Sequence, residues 1–167
     1  MSDRYTDPMT WKPDVTVAAV IEHEGRYLMV EERASGRLVF NQPAGHLESG
    51  ETLLEAVVRE TLEETAWHFQ PQFLLGLYVW TPPGGKRSFL RVAFGGTARD
   101  REPDRPLDRG IVRADWYTRE QLLARSTRLR SPLVMRCIDD YLAGCRHSLD
   151  ALNHVDGSLP DTLSRIG

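Results

Sequence analysis

The chain has 167 residues, 41% of them hydrophobic and 27% charged, with a formal charge of −3 and two cysteines. That length suits one domain with its own core, and the composition is that of an ordinary globular protein, not a disordered or collagen-like one. The polar start Ser2-Asp3-Arg4-Tyr5 gives no expectation of a secretory leader, no run approaches the roughly 18 apolar residues of a membrane span, and Cys137 and Cys145 match neither a disulfide framework nor a CxxC motif, so free thiols in a reducing cytoplasm are expected.

In chain order, residues 1–13 read as a polar lead-in, 14–147 as the domain and 148–167 as a patternless tail. Val15–Ile21 is a β-rich apolar run, Glu22–Gly25 a turn and Arg26–Glu31 a returning strand, which together predict a hairpin. After the turn Arg33–Gly36, Leu38–Phe40 is a short apolar piece leading into Asn41-Gln42-Pro43-Ala44-Gly45. From Thr52 the period changes to that of an amphipathic helix. Its start is marked by Thr52-Leu-Leu-Glu55, a pattern in which hydroxyl and carboxylate satisfy backbone donors reciprocally. Phe73–Trp80 and Ser88–Thr97 read as strands joined by a Pro/Gly loop, residues 99–110 as a charged loop, and Ile111–Tyr117 as a further strand. A short helix over 118–124 follows. Ser131 as N-cap and Pro132 at the first helical position open a last helix that ends near Ala143, with Val134, Ile138, Tyr141 and Leu142 as its apolar face. Strands, a helix, more strands and a terminal helix predict an α+β architecture, a mixed sheet with helices on its faces.

The acidic helix breaks the even spread of charge. Six glutamates (Glu48, Glu51, Glu55, Glu60, Glu63, Glu64) and Arg59 make Gly45–Trp67 a formal −5, which leaves +2 for everything else. So near-neutral a body lacks the basic stripe of a nucleic-acid binder. Glu60 shares a helix face with Glu63 and Glu64, and two such charges at about 4 Å repel by roughly 4 kcal/mol at an effective dielectric of 20. A divalent cation converts that repulsion into attraction, and hard carboxylate oxygens favour Mg²⁺ or Mn²⁺. The alternative is a solvated acidic face, with Arg59 pairing along the helix to Glu55 and Glu63.

Gly45, Glu51 and Arg59-Glu60-x-x-Glu63-Glu64 stand at the spacing Gly-x5-Glu-x7-Arg-Glu-x-x-Glu-Glu. This resembles the signature of the Nudix hydrolases. Thr61 departs from the aliphatic residue of that pattern and Ala66 from its glycine, whose service as a left-handed cap alanine tolerates less well, so the helix is expected to end differently. The stretches 14–20, 41–48 and 129–134 extend the likeness to the bacterial phosphatase NudJ family, which acts on nucleoside tri- and diphosphates and on a thiamine-precursor pyrophosphate. The resemblance implies the Nudix fold, an α/β/α sandwich with a central mixed sheet and a loop–helix–loop motif. It implies Glu60, Glu64, Glu63 and the carbonyl of Ala44 as ligands of Mg²⁺, with Mn²⁺ as a substitute. Arg59, Glu60 and Glu63 are the expected catalytic set, with Glu63 as base or further ligand. Gly45 and Glu51 complete the motif, Glu51 reaching a second metal or balancing Arg59. Asp108 is a candidate for a further metal ligand in the 99–110 loop.

Of the basic residues Arg33, Arg37, Lys86, Arg87 and Arg91, the expectation for substrate binding falls on Arg37 and Arg91. Among the aromatic residues Phe40, Tyr78 and Trp80 it falls on Phe40. His46, next to the motif glycine, is read as a satisfied loop histidine. The expected partner is a small nucleotide or organic pyrophosphate, with no nucleic acid and no membrane, in a monomer or homodimer. A nucleotide-sensing module without catalysis, or an interaction protein with an acidic helix, is the competing reading, and metal-dependent phosphate release separates them from an enzyme.

Overall fold

The computed structural model describes residues 11–155. Val17–Ile21 are all buried because β1 (Asp14–His23) runs through the middle of a sheet covered on both sides, the setting in which a strand reads as a continuous apolar run. It turns into β2 (Arg26–Ala34), which pairs with β3 (Arg37–Asn41). Next come β4 (Ala44–His46), α1 (Leu53–Thr65), β5 (His68–Trp80) and β6 (Phe89–Arg99). The chain continues through β7 (Ile111–Thr118), α2 (Arg119–Leu123) and α3 (Leu133–Leu142). The sheet order is β3-β2-β1-β6-β5, with β4 added to β1 and β7 to β2. β1 and β6 are parallel from Asp14↔Phe89 to Ile21↔Gly96, and the other pairings are antiparallel, so the sheet is mixed.

Alternation along β1 divides the core in two. Val17, Ala19 and Ile21 pack with Leu28, Val92 and Phe94 under Ala56 and Val57 of α1. Ala18 and Val20 pack with Tyr27, Met29, Phe40 and Leu75 under Val134, Cys137 and Ile138 of α3. Each large side chain so buried contributes roughly 1.5–3 kcal/mol. The result is the expected helix–sheet–helix sandwich, and none of its described helices is long and apolar enough to cross a membrane.

Several expectations are corrected. α3 begins at Leu133, with Pro132 in the cap position and the Ser131 hydroxyl accepting from Leu133 N at 3.3 Å. Its buried side is Leu133, Val134, Cys137 and Ile138, while Leu142 is 59% exposed, because the helix axis sets its inward arc nearer its start. The chain after 147 is not wholly patternless: a 3₁₀ turn at Leu149–Ala151 packs Leu149 and Leu152 against the α1 side of the core. The remainder of the tail, 156–167, and residues 1–10 lie outside the described residues. Cys137 is buried and Cys145 half-buried, both unpaired as expected.

Ala66 is the most informative departure. It caps α1 at φ 59°, ψ 16°, the left-handed conformation that glycine would have taken. The helix therefore ends in a left-handed cap despite the substitution. A buried alanine is held there from both sides: its N–H donates to Leu62 O at 2.9 Å and its carbonyl accepts from Glu102 N at 2.8 Å. Thr61, fully buried, satisfies its hydroxyl by donating to Val57 O at 2.7 Å, so a polar residue fits an aliphatic position without an orphaned group.

Candidate active site

The acidic helix is fixed first by its own start. Glu55 N donates to Thr52 Oγ1 at 3.1 Å and Thr52 N to Glu55 Oε2 at 2.7 Å, the reciprocal cap foreseen. Glu55 is therefore spent on the cap and does not pair with Arg59. Arg59 instead reaches back to the loop. Its Nε and Nη2 donate to the two oxygens of Glu51 at 3.0 and 2.7 Å, and Nη2 also donates to the His46 carbonyl at 3.1 Å. Nη1 donates to Glu60 at 2.8 Å and to Glu63 at 3.2 Å. Both oxygens of Glu51 are engaged by this fork, and its Oε1 accepts from Glu48 N as well. Bidentate pairing of this kind is strong and directional. Hydrogen bonding from Arg59 holds the Glu51 carboxyl below its usual range, and Glu51 with Glu60 pushes the guanidinium up. In the structure Glu51 is the bidentate partner of Arg59.

Glu60 and Glu64 face inward, 9% and 8% exposed. The Glu60 carboxylate lies against Gly45, where an added Cβ would coincide with it. Gly45 is not in the left-handed region, so the requirement for glycine here is close approach, not backbone freedom. Glu64 Oε2 accepts from Ala44 N at 2.9 Å. Burial raises the pKa of Glu60 despite Arg59, and raises that of Glu64 well above the ordinary carboxylate range, with Glu60, Glu32 and Asp108 adding to the rise. Asp108 is tied next to the acidic group by its backbone, its N–H donating to Glu63 O at 2.9 Å. Glu63 is at the rim, its side chain 34% exposed.

Among the described residues, no three acidic, histidine or cysteine side chains converge on one point. Glu60 leans on Arg59 and Glu64 on the Ala44 N–H. The donor chemistry nevertheless fits a hard cation: Glu60 and Glu64 are buried carboxylates whose anionic forms desolvation disfavours, and Glu64 has only a backbone N–H to offset it.

Beside this group opens a cavity of about 390 Å³ whose lining includes Ala44, Gly45, His46, Trp80, Pro82, Phe89 and Leu133. Thr16, Glu32, Asn41, Arg91, Arg130 and Ser131 supply its polar surface. Ala44 and Gly45, which line the cavity, are the residues against which Glu64 and Glu60 rest, so cavity and acids adjoin. Arg91 is buried, 7% exposed, and lines the cavity as expected. Phe40 does not: it is 1% exposed, edge-on to Tyr117 in the α3-side core, so its ring is packing and not a platform. Arg37 stands at the exposed β2–β3 turn and donates to Thr127 O at 3.1 Å, away from the cavity lining. Tyr78 donates to Asp140 at 2.9 Å, Arg87 pairs with Asp14, and Trp80 takes the wall position. His46 also faces the cavity.

Sequence reading missed Glu32, Asn41, Gln42, Arg130 and Ser131. For all but Glu32 the signal available was the polar residues clustered in the otherwise apolar stretches 38–44 and 129–134, and Glu32 had none.

Comparisons with known proteins agree with this fold. The NUDIX domain model matches residues 11–137. The chain is 42% identical over 142 residues to Phosphatase NudJ of Shigella boydii, covering 85% of this chain and 92% of the relative. It is 43% identical over the same length to Phosphatase NudJ of Escherichia coli K12, with the same coverage of each. A solved NUDIX hydrolase from Nitrosomonas europaea superposes with a TM-score of 0.85 at 50% identity, covering 88% of this chain and 100% of that one.

Proposed function

The chain belongs to the NUDIX domain family and is a hydrolase of phosphoric anhydride bonds, and on that premise we propose that it cleaves a diphosphate linkage in nucleoside tri- or diphosphates, or in a related small organic pyrophosphate such as a thiamine-precursor pyrophosphate. The observation that carries this reading is the junction of Glu60 and Glu64, two buried carboxylates of raised pKa, with a cavity whose lining includes Arg91 and Arg130. Phosphate release, as in the phosphatases it resembles, is the outcome proposed.

Glu60, Glu64 and Glu63, with the Ala44 carbonyl, would hold Mg²⁺ or Mn²⁺. When bound, such a cation neutralises phosphate oxygens, acidifies a water and eases departure of the leaving phosphate. Glu63 is the residue with freedom to move: it sits at the rim with one long contact to Arg59, so it is the proposed base that takes the proton from the attacking water. Arg59 favours the anionic form of Glu60 against its burial and seats it against Gly45, and Glu51 keeps Arg59 in place. Ala44 N–H orients Glu64. Arg59 and Glu51 thus act through the acids they position.

The test is phosphate release from nucleoside tri- and diphosphates with Mg²⁺, and its loss on chelation. Glu64→Gln is expected to remove metal-dependent release while circular dichroism stays native. Glu63→Gln is expected to lower kcat by about 10²–10⁴-fold, the range of a general base. Undiminished turnover in Glu64→Gln sinks the assignment.

A further inference from the structure

Arg91 is a buried cation for which no described carboxylate provides an ion pair. Its Nη1 donates to Gln42 Oε1 at 3.2 Å and its Nη2 to Asn41 Oδ1 at 3.3 Å, both long bonds to neutral acceptors. Nε–H is buried and makes no hydrogen bond, with the buried Cys137 thiol beside the guanidinium. An unmet buried donor costs more than a weak bond returns, so a guanidinium in this state asks for an acceptor from elsewhere.

The two amides cannot turn to help. Gln42 Nε2 donates to Val134 O at 2.7 Å and Asn41 Nδ2 to Glu32 at 3.4 Å, which fixes their carbonyls toward Arg91. The guanidinium is therefore held at a set angle in the cavity floor. Next to it the cavity is apolar: Trp80 and Phe89 stack with centroids 6.0 Å apart and 25° between planes, with Pro82 and Leu133 alongside. A phosphate dianion suits neither that wall nor the Glu32 carboxylate, which lines the same cavity. A flat group with apolar faces and an acceptor-bearing edge suits both.

Resting on the hydrolase reading above, we propose that Arg91 is a specificity-determining residue for the organic end of the substrate, donating as a fork to an adjacent carbonyl oxygen and ring nitrogen of a planar heterocycle that lies on the Trp80–Phe89 wall. Arginine makes such forks to base edges, here with the terminal amino groups Nη1 and Nη2, each of which has a second N–H beyond the one given to Gln42 or Asn41.

The experiment compares wild type, Arg91→Gln and Arg91→Lys on CDP and GDP, whose rings carry such edges, and on isopentenyl diphosphate, which has no ring. The ratio of kcat/KM for the preferred nucleotide to that for the ring-free diphosphate is expected to fall about 10- to 100-fold in Arg91→Gln, the range for hydrogen bonds to a charged group. The loss is expected in KM and not in kcat, and Arg91→Lys, a point charge without the fork, is expected not to restore it. A ratio that stays constant while both substrates weaken means an anion receptor or a merely structural residue, and overturns the proposal. So does rescue by lysine. Metal-free calorimetry with CMP, GMP and inorganic phosphate supplies a readout independent of turnover. Arg91→Gln is expected to abolish binding of the preferred monophosphate and leave that of inorganic phosphate as it is. If no diphosphate is hydrolysed, the hydrolase reading fails while the calorimetry still decides the role of Arg91, and wild type binding neither CMP nor GMP refutes it.

Discussion

Replacing Gly45 with alanine puts a methyl group where the Glu60 carboxylate now rests. Two responses are open. β4 can withdraw, which disturbs its pairing with β1 at Val17 and the Ala44 N–H bond to Glu64. Or the end of the Glu60 side chain can swing away, which breaks its 2.8 Å bond to Arg59. The second is cheaper, since the obstructed group is the far end of a flexible chain and Arg59 keeps Glu51 and Glu63 as partners. One charge-assisted bond is worth about 1.5–3 kcal/mol, so Gly45→Ala is expected to lose about 2 kcal/mol of stability, a Tm fall of roughly 4–8 °C. The protein stays folded, while Glu60 leaves the place from which it would meet a cation. Metal titrations of kcat in Gly45→Ala, Glu60→Gln and the double variant test this. The expectation is a higher metal requirement and at least a 100-fold loss of kcat/KM in each single variant, with little further loss in the double, because both remove one thing. Wild-type turnover in Gly45→Ala, or fully additive losses, would refute the idea that this glycine exists to seat Glu60.

Glu31 is 4% exposed, and although burial pulls its pKa up, hydrogen bonds from Tyr117 and Arg113 at 2.8 and 2.6 Å bring it below 4.5. A folded-state pKa below the unfolded one stabilises at pH above the ordinary carboxylate value, and that contribution drains away as pH falls through the depressed value. Denaturant titrations should show Glu31→Gln losing about 1.5–3 kcal/mol at neutral pH and a shallower loss of stability below pH 4.5 than wild type. Ala66→Gly trades about 1–2 kcal/mol of left-handed strain against a buried methyl group and extra chain freedom, so its Tm should move little. Ala66→Val adds a branched Cβ at φ 59° in a buried site and should cost more than about 2 kcal/mol.

What was legible in the sequence was local. Thr52 and Glu55 announce the helix start because both partners lie within four residues, and the glutamate spacing follows from one helix face. Arg59 is the counter-example inside the same helix: neighbours three and four away suggested Glu55 and Glu63, yet its strongest partner is Glu51, reached across the loop. Phe40 and Leu142 were misjudged because periodicity says that a residue is apolar, not which neighbours close over it. Gln42 and Asn41 became readable only through Arg91, some fifty positions away. β4, three residues long, leaves no period to detect, although it seats the motif glycine. Ala66 shows tertiary bonds overriding a local preference, since Leu62 and Glu102 hold it in a conformation that its own side chain resists.

The pairing of three strands has a consequence for size. Arg91 on β6 is opposite Thr16 on β1, and Thr16 is opposite His46 on β4, so one cross-strand row runs from the cavity floor to the motif loop. Two strand spacings separate its ends, about 10 Å. A hydrogen-bonded row of this kind has almost no give, unlike a loop. The sheet therefore acts as a gauge: a molecule gripped at Arg91 presents whichever bond lies one gauge-length away, and a homologous compound longer or shorter by a single linker atom would offer the acids the wrong one.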